Sequence, residues 1–462
     1  MSRLVVVSNR VADLTKASQS GGLAVALGDA LRQRGGLWFG WDGNVVERGK
    51  RVPPTIQVDG QVKTVTLPLT DRDYEEYYLG FSNRVLWPVF HYRLDLAKFE
   101  TAFLEGYQRV NFKFADALVP FLEPDDLIWV HDYHLIPLGI ELRQRNIKNR
   151  IGFFLHIPFP PPDILAAAPE NEWLVKALFA YDVVGFQTET DLANFERYIV
   201  EQGHGDAFID HRLVCGSRSV VADYFPIGID VDSFFEMAHT PEADSQIDLL
   251  ERRTIARAHI IGVDRLDYSK GLPDRFRAFE RLLERHPENQ KAVTFMQIAP
   301  PTREDVEAYV DIKHELEALT GSINGQFGDF DWTPLRYIHR SVDRNTLAAL
   351  LRGSQVGLVT PLRDGMNLVA KEYVAAQDME DPGVLVLSKF AGAAEDLKAA
   401  LIVNPYDIDE VADALQTAIT MPIEERRQRQ NALLERVRRH DAQNWRESFI
   451  EVLENVSLGA AV

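Results

Sequence analysis

Two stretches of this chain combine cations, carboxylates and glycine in patterns suited to anion and sugar chemistry. The first is Asp264-Arg265-Leu266-Asp267-Tyr268-Ser269-Lys270-Gly271, which follows the apolar run His259–Val263. Arg265 and Lys270 leave the carboxyl end of that expected strand together. A guanidinium fork beside a point charge suits a diphosphate. The bland alternative is a solvated turn whose cations are matched by Asp264 and Asp267. The second stretch, Thr360 to Glu372, follows the apolar run Gln355–Thr360. Gly365 permits a positive φ or the close approach of a ligand. Asn367 is a good N-cap, and the helix start that it introduces (Leu368, Val369, Ala370, Lys371) offers backbone N–H groups to an anion. Glu372 lies one turn in, where a carboxylate can accept both hydroxyls of a ribose. Asp364 can accept a sugar hydroxyl. The bland alternative is a strand–loop–helix joint with Glu372 paired to a lysine.

Other residues are candidates through their place at strand ends. Val5-Val-Val-Ser-Asn-Arg10 ends an expected strand on a cation, and Ser20-Gly21-Gly22-Leu23 then opens a helix. This suits a phosphate or sugar, but it is not the Gly-x-Gly-x-x-Gly pattern of dinucleotide sites. Trp129-Val-His131-Asp132-Tyr-His134 gives a hydrogen-bonding carboxylate at Asp132, while its two histidines lack a third metal ligand. His156 ends another apolar run and stands before a rigid proline segment. Tyr77, Tyr78 and Trp87 lie on a stretch that reads as loop. Asp71/Asp73 and Asp230/Asp232 imitate a metal–nucleotide motif but read as turns without a preceding strand. Asp407 imitates a phosphatase motif and reads more simply as a helix cap.

These residues need elements to hold them. Apolar runs at Leu4–Ser8, Leu37–Trp41, Leu127–His131, Ile151–His156, Asp182–Gln187 and Val221–Pro226 read as strands. So do His259–Asp264, Val293–Ile298, Tyr337–His339, Gln355–Thr360 and Val384–Ser388. Many are apolar on both faces, as in covered parallel sheets. Helical patterns alternate with them, so an α/β architecture of two doubly wound domains is expected, with a break near Phe225–Asp232. The 462 residues are 46% apolar and carry a net charge of −19. That charge disfavours a nucleic-acid surface and requires anion-binding cations to be gathered locally. No window reaches the roughly 18 apolar residues of a membrane span. Leu4–Val7 is too short for a signal peptide. The lone Cys215 excludes an intrachain disulfide and a cysteine-based zinc site. A cytoplasmic protein without membrane attachment is expected.

Together and in order, the strings VVVSNR, GGLAVAL, GLWFGWDG, FSNRVLWPVFHYR, WVHDYHL, GFFLHIPFP, VDRLDYSKG and TPLRDGMNLVAKEYVA make the chain resemble glycosyltransferase family 20, the trehalose-6-phosphate synthases, from Leu4 to about Leu453. The resemblance implies a GT-B fold, two Rossmann-like domains facing a central cleft. Residues 1–228 would bind the acceptor and 229–443 the nucleotide sugar, with a terminal helix at about 444–457 packing back on the first domain. It implies retaining transfer from UDP-glucose to glucose 6-phosphate, giving α,α-trehalose 6-phosphate and UDP. Arg265 and Lys270 would grip the diphosphate, Glu372 the ribose, and Leu368–Glu372 the nucleotide through backbone groups. Gly21 and Gly22 would close on the donor, Val342 would touch the uracil, and Asp364 and His156 would hold the transferred glucose. Arg10, Tyr78 and Arg303 would bind the acceptor phosphate, with Trp87 beside it and Asp132 on the acceptor sugar. No metal and no cofactor are implied. A homo-dimer or tetramer is expected, with a separate phosphatase acting downstream. The alternatives are a transferase using glycerol 3-phosphate or a cyclitol phosphate, a non-catalytic sugar-phosphate sensor, and, at fold level, a dehydrogenase.

Overall fold

The computed structural model describes residues 2–12, 22–49, 52–208, 211–253, 258–303 and 305–456. Gly21 therefore lies outside the described residues. The chain divides into two compact units, one within Met1–Pro226 and Trp445–Val462 and the other within Ile227–Asn444.

The first unit is built on β1 (Leu4–Arg10), β2 (Gly36–Val46), β3 (Thr55–Asp59), β4 (Val62–Thr70), β5 (Leu127–His131), β6 (Arg150–Phe154), β7 (Val183–Phe186), β8 (Asp206–Ala207), β9 (Arg212–Cys215) and β10 (Arg218–Tyr224). They lie in the order β3-β4-β2-β1-β5-β6-β7-β10-β9-β8. From β4 to β10 every pairing is parallel, and β3, β8 and β9 add antiparallel edges. β5 and β7 are buried along their whole length, and β6 nearly so, because helices cover both faces of a parallel sheet. The chain runs outward from β1 to β2 and β4, then returns to build β5, β6, β7 and β10 on the other side. The order thus reverses between β1 and β5, where doubly wound sheets open a crevice at their carboxyl ends.

The second unit repeats this logic in β11 (Ala258–Val263), β12 (Val293–Ile298), β13 (Leu335–Ile338), β14 (Val356–Val359), β15 (Val384–Ser388) and β16 (Leu401–Val403). Their order is β13-β12-β11-β14-β15-β16, and all pairings are parallel. Here the reversal falls between β11 and β14. These two strands lead directly into the Arg265–Lys270 and Asp364–Glu372 segments.

Three expectations fail locally. The stretch holding Tyr77, Tyr78 and Trp87 is not a loop but helix from Asp71 to Phe90, mostly of wide π winding. Its polar and aromatic residues look loop-like in sequence, but Tyr77, Leu79, Phe81, Val85 and Leu86 are buried. Asp71 follows strand β4 directly rather than standing at an isolated turn. Its partner Asp73 accepts hydrogen bonds from Arg109 Nε (2.8 Å), Lys113 Nζ (2.5 Å) and Thr70 Oγ1 (2.7 Å). The expected strands Ile151–His156 and Asp182–Gln187 also end early, so that His156 and Gln187 stand beyond the sheet rather than in it.

The helix Ala442–Asn455 lays Trp445 and Phe449 on the sheet of the first unit. Phe449 stacks on Trp129 with ring centroids 4.7 Å apart, and Trp445 lies 5.0 Å from the same ring. Gly152 and Gly185 leave the room for it: a Cβ on either would fall within 2.8 Å of the Phe449 ring.

Candidate active site

In the second unit, β11 ends at Val263 and the chain enters a run that is buried apart from Arg265. The solvated-turn alternative fails for Lys270, which is buried, and both nearby carboxylates have partners in the core. Asp264 accepts from Arg275 Nη1 (2.7 Å), and Asp267 accepts from Ser269 N (2.9 Å), Ser269 Oγ (2.8 Å), Tyr309 OH (3.0 Å) and Arg303 Nη1 (3.3 Å). Lys270 is buried, and its ammonium donates to Asp364 Oδ2 at 2.5 Å. Gly271 follows at φ 64° and opens the helix Leu272–Arg285. A Cβ there would meet the Thr360 carbonyl at 2.8 Å, so the loop after β11 can lie directly on the loop after β14. Ser269 O accepts from Leu362 N at 2.8 Å and completes the seam.

The left-handed residue after β14 is Asn367, at φ 81°, two positions past Gly365. Its side chain performs two tasks. Asn367 Oδ1 caps the helix Leu368–Ala376 by accepting from Ala370 N (3.1 Å), and Nδ2 donates to Asp364 Oδ2 (3.0 Å). The cap uses the Ala370 N–H and leaves Leu368 and Val369, both half-buried, as the first N–H groups of the helix. Glu372 is buried on that helix, and burial pushes its carboxyl up to about 7 against the pull of Arg344. Lys371 points elsewhere: it is buried, its Nζ donates to Ile227 O at 2.8 Å, and burial lowers its pKa to about 8. Only its backbone belongs with the helix start. Val342 is half-buried in the loop before the helix Arg344–Arg352, whose cap is Asp343.

In the first unit, Arg10 ends β1 exposed, its guanidinium 5.7 Å from the Trp41 ring centre. Gly43, at φ 90°, has no Cβ to displace this guanidinium, which a Cβ there would meet at 2.6 Å from Nη2. Tyr78 is half-buried and packs its ring between Trp41 (5.4 Å), Tyr74 (5.5 Å) and His134 (6.0 Å). Trp87 is buried with His91 (4.1 Å) and Tyr133 (5.7 Å) against its ring. Asp132 has φ 78° and ψ 164°, a costly conformation for a residue with a Cβ. Its carboxylate accepts from Tyr133 N (3.0 Å) and His156 N (3.3 Å). Gly22 begins the helix Gly22–Arg34. Arg303 is in the second unit, so the chain does not group it in one unit with Arg10 and Tyr78. It is held at φ 49° with its side chain buried on Asp267 and Tyr309.

His156 is engaged at both ring nitrogens. Gln187 Nε2 donates to Nδ1 (3.3 Å), which places the proton on Nε2, and that N–H donates to His131 Nδ1 (3.0 Å). Burial lowers the His156 pKa to about 3, and burial followed by the neighbouring His156 lowers that of His131. His131 thus pairs with His156, not with His134 in a metal site. Among the described residues, no cluster of three metal-ligating side chains forms.

Two strand-order reversals, one followed by the segments that carry Arg265, Lys270, Asp364 and Glu372, accompany a match to the model of glycosyltransferase family 20 over residues 3–455. The chain belongs to glycosyltransferase family 20. Within this family it is 51% identical to the trehalose-6-phosphate synthase of Klebsiella pneumoniae, over 99% of this chain and 96% of that one. An alpha,alpha-trehalose-phosphate synthase (UDP-forming) from Burkholderia xenovorans, solved in complex with glucose-6-phosphate, superposes with TM-score 0.95 at 50% identity, covering 98% of this chain and 100% of that one. An E. coli structure bound with UDP-2-fluoro glucose gives TM-score 0.93 at 47% identity, over 99% and 100%. The fold is the GT-B type of glycosyltransferase.

Family 20 membership is readable in the motifs, but the supports of those motifs are not. Arg275 and Gln187 escape a reading that starts from motifs, and His131, though inside one, is weighed there only as a metal ligand. Arg275 does leave a trace, because it sits on the apolar stripe Leu272, Phe276, Phe279, Leu283 of its helix, where a charge is out of place. Gln187 leaves none, nor does the pairing of His131, since each meets His156 from another strand.

Proposed function

We propose that this chain is a retaining glucosyltransferase that transfers glucose from UDP-glucose to glucose 6-phosphate, releasing UDP and forming α,α-trehalose 6-phosphate. The observation that carries the reading is the Lys270–Asp364 pair at the β11/β14 switch point, with Arg265 exposed beside it and Glu372 one helical turn away. We read this as the grip on a nucleotide sugar. The second unit is the donor domain. Arg265 and Lys270 hold the diphosphate, Leu368, Val369 and Glu372 hold the nucleoside with Val342 at the base, and Gly21 and Gly22 close on the donor. Asp364 holds the transferred glucose. The first unit is the acceptor domain, with Arg10 and Tyr78 on the phosphate, Trp87 beside it and Asp132 on the sugar. Arg303 supplies a further cation to the phosphate.

Chemistry follows from charge. As the bond from C1 to the UDP oxygen breaks, negative charge grows on the diphosphate, and Arg265, Lys270 and the helix N–H groups stabilise it. The acceptor hydroxyl forms its bond to C1 on the same face and passes its proton to the departing phosphate. No metal is needed, because two side-chain cations occupy its role. His156, neutral and tied at both nitrogens, packs against the sugar and takes no proton. The protein acts in the cytoplasm as a homo-oligomer, and a separate phosphatase completes the route to free sugar.

The test is nucleotide release from UDP-, GDP- and ADP-glucose, with and without glucose 6-phosphate and with excess chelator. Release that depends on glucose 6-phosphate, is fastest from UDP-glucose and survives the chelator is expected. Release from no donor would sink the reading. Faster release with glycerol 3-phosphate would replace its acceptor.

A further inference from the structure

The helix Leu272–Arg285 carries a guanidinium into the core beneath the donor site. Arg275 is 1% exposed and bonds to the carboxyl ends of three strands and to the loop that carries Lys270. Its Nη1 donates to Asp264 Oδ2 (2.7 Å) and Gln297 Oε1 (2.9 Å), at the ends of β11 and β12. Its Nε donates to Thr360 Oγ1 (3.1 Å), just past β14, and its Nη2 to the Lys270 carbonyl (3.3 Å). Asp264, in turn, is a buried carboxylate facing three charged groups: Arg275, Lys270 and Asp364. Asn367 Nδ2 approaches its other oxygen at 3.5 Å. Two carboxylates, Asp264 and Asp364, thus lie within reach of the field of one ammonium, and Lys270 bonds to Asp364.

We propose that Arg275 is a positioning residue of the donor site: by occupying Asp264 it keeps the Lys270 ammonium on Asp364 and available to the diphosphate of a nucleotide sugar. This rests on the donor-site reading above. Removing the guanidinium leaves Asp264 buried without its ion pair, a costly state that the nearest cation relieves. That cation is Lys270, and its move toward Asp264 withdraws it from the ligand. The same loss frees Thr360 and the Lys270 carbonyl, so both loops lose a tether.

The full chain with Arg275→Met, Arg275→Lys and the pair Asp264→Asn/Arg275→Met tests this. Turnover is measured well below each melting temperature, and UDP affinity by calorimetry without acceptor. For Arg275→Met, kcat/KM for UDP-glucose should fall about 100-fold and UDP affinity at least about 10-fold, with KM for glucose 6-phosphate unchanged. Its activity should recover relative to the parent as pH falls and Asp264 takes a proton, which a merely structural role would not produce. Arg275→Lys should recover part of the loss. The double variant, with no stranded carboxylate, should bind UDP and turn over within about 10-fold of the parent. That variant also carries the test if Arg275→Met does not fold. A folded double variant still 100-fold down, or a folded Arg275→Met with parental UDP affinity, would overturn the role. A parent chain that binds UDP but transfers no glucose would overturn the transferase reading and leave the affinity comparison to judge Arg275.

Discussion

Glu372, proposed above to hold the nucleoside, carries a cost in stability. Burial raises its carboxyl to about 7, and Arg344 only partly offsets that. The folded pKa exceeds the ordinary carboxylate value, so protonation favours the fold. The cost of ionisation is absent below the unfolded pKa and grows as pH rises through about 7. Glu372→Gln removes that cost. Thermal unfolding of the variant at pH 8 should show a gain of up to about 3 kcal/mol, vanishing below about pH 4.5. The same change should weaken UDP binding about 10- to 100-fold, because a charged acceptor for two ribose hydroxyls is lost. In the parent, UDP affinity should decline as pH falls below 7. A variant that keeps its affinity for UDP removes Glu372 from the nucleoside site. For the diphosphate, Arg265→Ala should lower transfer by roughly 100-fold or more with little effect on melting, and Lys270→Ala should do the same at a lower melting temperature, because Asp364 loses its ion pair. Near-parental turnover would reassign the anion grip. Candidates of this kind stand out in sequence because each motif carries its cation, carboxylate and cap within a few positions. Arg275, His131 and Gln187 are not legible, because each acts through partners that only the sheet order makes adjacent.

Elements divide along the same line. β5, β12 and β15 coincide with the apolar runs that predict them, and the helix Leu368–Ala376 begins and ends where its Asn367 cap and apolar pattern indicate. Local chemistry decides these. β3 and β4 pass unnoticed, since β3 is exposed along its length and β4 is only partly buried, so neither has the continuous apolar run of a covered strand. The helical stretch from Asp71 to Phe90 is missed because its aromatic face is specified by packing, not periodicity. The terminal helix is legible as a helix, yet its seat on the first unit depends on glycines in β6 and β7. Gly152→Ala, with its Cβ 2.7 Å from the Phe449 ring, should cost about 1–3 kcal/mol in urea unfolding. Phe449→Leu should recover part of that loss in the double variant, so the two changes will not add. Strict additivity would show that the terminal helix does not rest on β6.

At the scale of the whole chain, the net charge of −19 opposes any anionic substrate, so the cations that would bind one must act locally, as Arg265 and Lys270 can on the loop after β11. Its response to acid is distributed unevenly as well. The first unit buries the His131–His156 pair in its neutral form, with His156 lowered to about 3. A histidine whose folded pKa is depressed contributes stability above its unfolded value near 6.5 and loses it as pH falls, because the unfolded chain takes the proton. The second unit holds His259, lowered to about 4, which acts in the same direction, but it also holds Glu372, whose protonation through pH 7 favours the fold and opposes the loss. Mild acid should therefore weaken the first unit more than the second. Between pH 7.5 and 5.5 the pair should withdraw about 2–3 kcal/mol from the first unit, at roughly 1.4 kcal/mol per proton per pH unit. Hydrogen exchange, corrected for the intrinsic rate, should show protection falling in β5 and β6 while β11 and β14 hold nearly constant. Replacing both His131 and His156 by Gln should flatten the response of the first unit. Equal losses in the two units, or a double variant with the parental acid response, would show that the buried histidine pair does not set the acid sensitivity of this fold.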